Sequence, residues 1–260
     1  MPLLDPGSPS SSGSSSKRTA YFVVGEAELK DVRRLVDIEF QAFENERTNQ
    51  QLSYRDYTKP EHFERSVALY SKAISEANSR RLSTKMRRKQ SVPRTTLRFL
   101  KVTDTETGEI VSFAKTEIKG YSAKELSSPA DAGHENEPTM NRDWFALNEI
   151  KRRDHLGTTK HCYIAMLATL PRNQHEGAGT LLLTTILSTA DQAGLECYLE
   201  GTDTAKSLYE KYDFRAVDEV RLDPAVYGVR GLGVERQTVM VRGASGAEDG
   251  VEGRGGEVEW

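Results

Sequence analysis

The chain has little of several things, and each shortage removes a class of protein. Only two cysteines occur, Cys162 and Cys197. Both fall in strand-like apolar runs, so they read as reduced core residues rather than a disulfide framework or a metal pair. The histidines show no ligand spacing with acids or cysteines, and no metal site is expected. No apolar stretch approaches the roughly 18 residues of a membrane helix. The first residues hold no apolar signal core and no arginine before Arg18, which argues against a leader or transit segment. No Gly-Lys-Ser/Thr follows Gly177 or Gly179, which weakens a P-loop reading. The charge is nearly balanced, 36 basic against 39 acidic residues for a net of −3, so bulk charge gives no reason to expect nucleic acid.

What is present is organised as one folded stretch between two polar tails. Residues 1–18 are dominated by Ser, Gly and Pro, and residues 243–260 are Gly-rich and acidic. Neither buries enough apolar surface to offset the entropy of ordering, so both are expected to be disordered. Between them, 19–242 reads as a single α/β domain. Tyr21–Val24 is a first strand. Leu29, Val32, Val36, Phe40 and Phe43 recur at helical spacing. Residues 44–59 are polar, and 60–78 form a second helix with Pro60 near its start. Seven Lys or Arg and no acid lie between Arg80 and Arg94. That basic run reads as a solvated helix end and loop, or as a nucleic-acid or nuclear-targeting patch. It lacks the interleaved aromatics that a single-strand binder uses for stacking.

Leu97–Val102 and Ile110–Ile118 form a hairpin through Asp104-Thr105-Glu106-Thr107-Gly108. Residues 119–160 are polar and poorly periodic. They read either as a segment covering the acceptor side or as a plain insertion, with Trp144, Phe145 and Leu147 anchoring a short helix. From Cys162 onward strands and helices alternate. A helix starting at Gly177 is expected to bury Leu181, Leu182, Ile186, Leu187 and Ala190, and to end at Gly194. Strands follow at 195–200, 214–220 and 237–241.

The densest chemistry lies in Gln174-His175-Glu176-Gly177-Ala178-Gly179, between a strand-like run and that helix. The first helical turn leaves backbone N–H groups without intrahelical partners, and the helix dipole adds positive potential there. Together they suit phosphate oxygens, and glycine lets the backbone come close. Glycines before a helix also occur simply to shape a turn. A dinucleotide fingerprint is weakened, because Gly177-Ala178-Gly179-Thr180-Leu181-Leu182 puts leucine at its third small position.

This Gln-x-x-Gly-x-Gly order resembles the acyl-CoA pyrophosphate loop of the GNAT superfamily of N-acyltransferases, Arg/Gln-x-x-Gly-x-Gly/Ala. Leu167-Ala168-Thr169-Leu170-Pro171 is similar to that family's fourth strand, Cys197-Tyr198-Leu199-Glu200 to its fifth, and Ser207-Leu208-Tyr209-Glu210-Lys211-Tyr212-Asp213-Phe214 to its LYEKxGF segment. The strong likeness covers 160–220 and looks most like fungal members. The resemblance implies a mixed central sheet of six to seven strands flanked by helices and splayed between strands 4 and 5. It also implies that Leu167, Ala168 and Thr169 line the pantetheine arm, with the Ala168 N–H as donor to the acyl carbonyl. Gln174, His175, Glu176, Gly177, Ala178, Gly179 and Thr180 would hold the pyrophosphate. Tyr209 matches the family's proposed general acid.

The general base is open. Where histone-type members carry a glutamate, this chain has Tyr163. Glu117 and Glu200 are the best-placed carboxylates, and a water relay is an equal alternative. Asp213 stands where the family has glycine, and Gly201-Thr202 where relatives often have Ala-Ser. The implied activity is direct acetyl transfer from acetyl-CoA to a primary amine, on a small molecule. The alternatives are a protein lysine or N-terminus as acceptor, or a non-catalytic acyl-CoA-binding module. The expected setting is cytoplasmic, with a nuclear one open through the basic run 80–94. Partners are acetyl-CoA and a small amine, without nucleic acid or membrane. Glu44 and Glu46 could attract a cationic amine.

Overall fold

The computed structural model describes residues 21–86, 96–130 and 139–244, with backbone only over 80–86. The tail expected at 1–18, the part of the C-terminal tail beyond residue 244, and residues 87–94 of the basic run lie outside these.

Seven strands form one open sheet in the order β1-β2-β3-β4-β5-β7-β6. They are β1 (Phe22–Glu26), β2 (Thr96–Asp104), β3 (Ile110–Lys119), β4 (His161–Thr169), β5 (Glu196–Gly201), β6 (Arg215–Leu222) and β7 (Glu235–Arg242). Every neighbouring pair is antiparallel except β4 and β5. The helices are α1 (Val32–Ala42), α2 (Arg47–Leu52), α3 (Pro60–Met86), α4 (Ala123–Ser127), α5 (Thr139–Leu156), α6 (Ala178–Gln192) and α7 (Asp203–Glu210). Among the described residues no helix is long and apolar enough to cross a membrane.

Strand alternation sorts the two faces of the sheet. Leu100, Ala114 and Leu167 lie in register on one face, as do Ile118, Cys162 and Cys197. This face carries α6, whose Leu182, Leu183, Ile186, Leu187 and Ala190 are buried. Leu183 takes the place expected of Leu181, because the helix turns its 182/183/186/187/190 stripe to the sheet. Cys162 and Cys197 are sealed here as free thiols.

The opposite face carries Phe99, Phe113, Tyr163 and Tyr198. Tyr70 of α3 sits edge-on to Phe99 and Phe113 at 5.0 and 6.0 Å. Helix α5 covers Tyr163 and Tyr198 further along.

Two expectations change. Helix α3 runs to Met86 rather than 78, into the basic run. Residues 139–156 are one 18-residue helix, where a mostly irregular insertion was expected. Its buried side holds Asn141, Asn148 and Glu149 beside Met140, Trp144 and Leu156. An inward face that is half polar erases the apolar periodicity by which helices are read. Asn141 spends its amide on the Gln51 and Leu52 carbonyls, at 2.7 and 2.9 Å, and so ties α5 to the C-terminus of α2.

Candidate active site

The centre of the sheet is parted. Strands β4 and β5 pair only from His161 with Glu196 to Tyr163 with Tyr198. Beyond that, β4 follows β3 to Thr169 and β5 follows β7 to Gly201. The cause lies in β4. Lys115 faces Met166 while Thr116 faces Ile164, so Ala165 is an extra residue. Such a bulge bends its strand and raises its twist. It falls just before Leu167–Thr169, the stretch expected to line the opening.

The phase of the ladder also corrects the expected donor. The Leu170 N–H bonds the Val111 carbonyl at 2.9 Å. Hydrogen-bonded pairs alternate along an antiparallel ladder, so the next is Phe113 with Ala168. The Ala168 N–H is therefore directed to β3. The backbone groups of Leu167 and Thr169 face the opening instead.

Past Thr169 the chain makes a 3-10 turn at Pro171–Asn173 and enters the glycine loop. The Gln174 amide approaches the Thr169 carbonyl at 3.4 Å, and the Asn173 amide donates to Glu176 at 3.0 Å. His175 has φ +62° and Gly177 φ +98°. The left-handed geometry at Gly177 suits a residue without Cβ. The first bond of α6 is Leu181 N–H to the Gly177 carbonyl, 2.9 Å. That leaves the N–H groups of Ala178, Gly179 and Thr180 without helical partners. Gly179 lies where a Cβ would stand 3.2 Å from Thr169 Oγ1 and 3.7 Å from Leu167 Cδ2. The absent side chain lets the first turn of α6 close on the end of β4. No Lys or Arg occurs between 173 and 180, so the loop offers backbone donors rather than cations.

Tyr209 lies against the end of β5 on the α6 side. A Cβ on Gly201 would stand 3.2 Å from its ring, and Phe214 meets the ring edge-on at 5.7 Å. Asp213 holds φ +65°, the conformation for which glycine is usual. The Tyr209 hydroxyl has no hydrogen-bond partner among the described residues, and burial pushes its pKa up to about 12.

The other wall is built from side chains. Glu200, 6% exposed, faces α5 from β5. Burial raises its carboxyl pKa, opposed by Arg152 and by the Tyr163 and Tyr198 hydroxyls. Arg152 Nη1 lies 3.6 Å from Glu200 Oε1 and donates to the Tyr163 hydroxyl at 2.7 Å. Glu117 is the register partner of Tyr163 on β3, and Lys115 approaches it at 3.5 Å. Glu117 and Glu200 thus flank Tyr163 from two strands. Only Arg152 had no signal in the sequence.

A third group forms the rim beyond β5. Asn49 donates to Glu235 at 2.8 Å and accepts from Arg55 at 2.7 Å. Arg55 pairs with the buried Glu39, which also accepts from the Tyr70 hydroxyl. Glu46 is half-buried, and its pKa is raised to about 7. Burial is the main cause. Repulsion from Glu235 and Asp203 adds to it, and Arg55 opposes it. Burial likewise raises Glu235. Glu46 was visible in the sequence only as one surface acid among many. Among the described residues no group of His, Cys, Asp and Glu is arranged to hold a metal.

A seven-strand mixed sheet, unclosed and parted between its parallel pair, is the GNAT fold. The sequence profile of the acetyltransferase (GNAT) domain matches residues 146–227. That span runs from α5 to the turn after β6 and contains the glycine loop, Glu200 and Tyr209. Solved structures share the architecture at low identity. A mosquito arylalkylamine N-acetyltransferase like 5b is 12% identical, with TM-score 0.57 over 85% of this chain and 99% of that one. The C-terminal condensation domain of Ebony, solved with beta-alanyl-dopamine, is 13% identical, with TM-score 0.56 over 86% and 99%. A histone acetyltransferase HPA2 and related acetyltransferase from Corynebacterium glutamicum is 19% identical, with TM-score 0.49 over 86% and 97%. No curated protein matches the chain in sequence.

Proposed function

We propose that the protein is an N-acetyltransferase that moves the acetyl group of acetyl-CoA directly to a primary amine, most suitably that of a small cationic molecule. One observation carries this reading. The unpaired amides at the start of α6 close on the end of β4, where β4 has left β5. A diphosphate held at that turn would direct an acyl-thioester arm along β4 into the opening. The amides of Ala178, Gly179 and Thr180 would hold the phosphates. The open-edge N–H groups of Leu167 and Thr169 would bond the arm and the acyl carbonyl oxygen, which gains charge during transfer.

Acetyl-CoA supplies the activated acyl group, and the chain supplies position and protons. Tyr209 stands on the α6 side of the β5 end, and its neutral hydroxyl would protonate the departing sulfur. Glu200 stands on the other side and would accept the proton of the incoming ammonium, directly or through a water. It is better placed than Glu117, which sits one strand away on β3, opposite Tyr163, where β4 and β5 are still paired. The carboxylates of Glu46, Glu235 and Asp203 at the rim favour an acceptor that arrives charged.

Titration calorimetry with acetyl-CoA and with free CoA tests the first half. A screen of primary amines for thiol release and acetylated product tests the second. Absence of any heat with either coenzyme form would overturn the reading.

A further inference from the structure

We infer that Arg152, carried in by the helix inserted between β3 and β4, is a positioning residue for acetyl transfer: it keeps the Glu200 carboxylate ionised and fixes Tyr163 beside it where β4 and β5 part. This inference rests on the acetyltransferase reading above.

Among the described residues, Arg152 is the one cation within ion-pair reach of Glu200. Its guanidinium is held from behind. Glu149 accepts from Arg152 Nε at 3.3 Å. Glu149 is itself fixed by Arg153 at 3.0 Å, Tyr121 at 3.2 Å and Lys119 at 3.6 Å. On the front side Arg152 Nη1 bonds the Tyr163 hydroxyl, and the Tyr163 ring lies 5.1 Å from the guanidinium carbon. The fork is therefore set before any substrate arrives. A guanidinium stays charged at every working pH.

Glu200 Oε1 and the Tyr198 hydroxyl are both sealed from solvent, and among the described residues neither has a partner in good hydrogen-bond geometry, although the Tyr163 and Tyr198 hydroxyls lie near enough to favour the carboxylate. Unpartnered buried polar atoms are rare, because each forgoes its bonds to water. The Tyr163 and Tyr198 rings are 5.8 Å apart, so these atoms belong to one polar nest at the parting of the strands. A proton in transit satisfies them. The N–H bond of the ammonium breaks and an O–H bond forms on Glu200. The freed nitrogen lone pair bonds the acyl carbon while the C–S bond breaks, and the sulfur takes its proton from Tyr209. The acylated nitrogen gives up its second surplus proton, which returns through water to the Tyr209 phenolate, and the Glu200 proton passes to solvent.

The other groups around Glu200 do not supply the missing charge. Helix α5 also brings Glu149 and, beside Tyr198 at 6.3 Å, His155, which pairs with Asp218 together with Lys151. Strand β3 brings Glu117 and β4 brings Tyr163. Strand β7 places the apolar Val239 opposite. Removing Arg152 leaves a buried carboxyl among tyrosines and other acids, a setting that favours the protonated form.

The test compares Arg152→Met, Arg152→Lys, Glu200→Gln and Glu46→Gln with the full wild-type chain. The probes are acetyl-CoA with 2-phenylethylamine, putrescine and a lysine-containing peptide, assayed across pH. All four variants should bind acetyl-CoA within about twofold of wild type. Arg152→Met should move the acid limb of kcat/KM to higher pH by about one unit or more. It should also lower kcat at neutral pH by about tenfold to a hundredfold. Arg152→Lys should return the limb most of the way without full kcat, since an ammonium restores the charge and not the fork. Glu200→Gln should abolish the limb, and Glu46→Gln should raise KM for the amine while leaving the limb in place.

An unmoved limb in Arg152→Met, or a limb that disappears with Glu46 and persists without Glu200, overturns the inference alone. If Arg152→Met does not fold, the Arg152→Lys and Glu200→Gln profiles decide: identical profiles in both and in wild type overturn it. A wild-type protein that binds acetyl-CoA yet acetylates none of the probes overturns the acetyltransferase reading, and the inference with it.

Discussion

The two sides of the β4–β5 opening are made of different material. On the α6 side a short contiguous stretch, 167–180, offers backbone amides and glycines, and its single cation, Arg172, is paired with Glu109. On the α5 side, side chains from distant parts of the chain form two networks: Glu39 of α1, Asn49 of α2, Arg55 after it and Glu235 of β7 in one, and Glu149 and Arg152 of α5 with Glu200 of β5 in the other. Backbone donors recognise a group that never changes, such as a diphosphate, and need only one local conformation. Side-chain charges can be altered one at a time without rebuilding the chain path, which suits the side that meets the acceptor. The same contrast divides stability from binding. The glycine loop is exposed and buries little, whereas the α5 side holds ion pairs that must stay complete.

The sharpest way to break this comparison is to fill the one contact on which the backbone side depends. Gly179→Leu would place a branched side chain where even a Cβ stands 3.2 Å from Thr169 Oγ1. The first turn of α6 must then move off β4. Acetyl-CoA affinity should fall about a thousandfold, or about 4 kcal/mol, with the fold intact by circular dichroism. Calorimetry that finds wild-type affinity would show that the diphosphate is held elsewhere.

On the other side the largest effect should be on stability. Arg55→Met leaves Glu39, 4% exposed, without its cation, and takes the donor from Asn49. Breaking one member of a buried pair costs about 3 kcal/mol or more. Urea unfolding should show it as a lowered midpoint with unchanged slope, while acetyl-CoA binding stays within about threefold. A midpoint equal to wild type would mean that the α5 side does not carry the stability assigned to it.

Tyr209→Phe separates chemistry from both. The hydroxyl has no partner among the described residues, so its loss should alter unfolding by less than about 1 kcal/mol. Acetyl-CoA affinity should be unchanged, and kcat should drop about thirtyfold if Tyr209 protonates the sulfur. Full turnover in this variant, measured by thiol release, removes Tyr209 from the chemistry.

How much of this could be read beforehand follows the same division. Gln174 to Gly179, Leu167 to Thr169, and Tyr209 with Phe214 lie close in the chain, so a spacing pattern announces them. The strand and helix order from Cys162 to Val241 was legible for the same reason. The position of the bulge was not. Nothing in Tyr163-Ile164-Ala165-Met166 marks Ala165 as the extra residue, because the register is set by the partner strand. Helix α5 escaped because Asn141, Asn148 and Glu149 occupy its inner face to bond α2, its own backbone and the Arg152 nest. The rim escaped because Asn49 and Glu235 meet across 186 residues of sequence. Charge neighbours at that separation leave no local trace. Glu46 could be named as an acid, yet its setting could not.

That setting yields the smallest and most discriminating prediction. An unfolded glutamate titrates at about 4.5, and the folded Glu46 at about 7. A raised carboxyl means that the fold prefers the neutral form. The stability tied to this group is therefore complete below about pH 4.5 and is lost as pH rises through about 7. Fully sealed, a shift of that size would be worth about 3 kcal/mol; half-buried and screened by water, it is reduced to about 1 kcal/mol. Glu46→Gln should therefore stabilise the protein by about 1 kcal/mol at pH 8 and by almost nothing at pH 4.5, read from urea midpoints at the two values. Part of the pH dependence should persist in the variant, because Glu235 is raised by burial and by Asp203 as well. A cationic amine that occupies the rim should act like the substitution at high pH, stabilising the wild type more than Glu46→Gln. If Glu46→Gln is instead less stable than wild type at pH 8, Glu46 is held by a cation rather than crowded by acids, and the rim would not be a place that calls for positive charge.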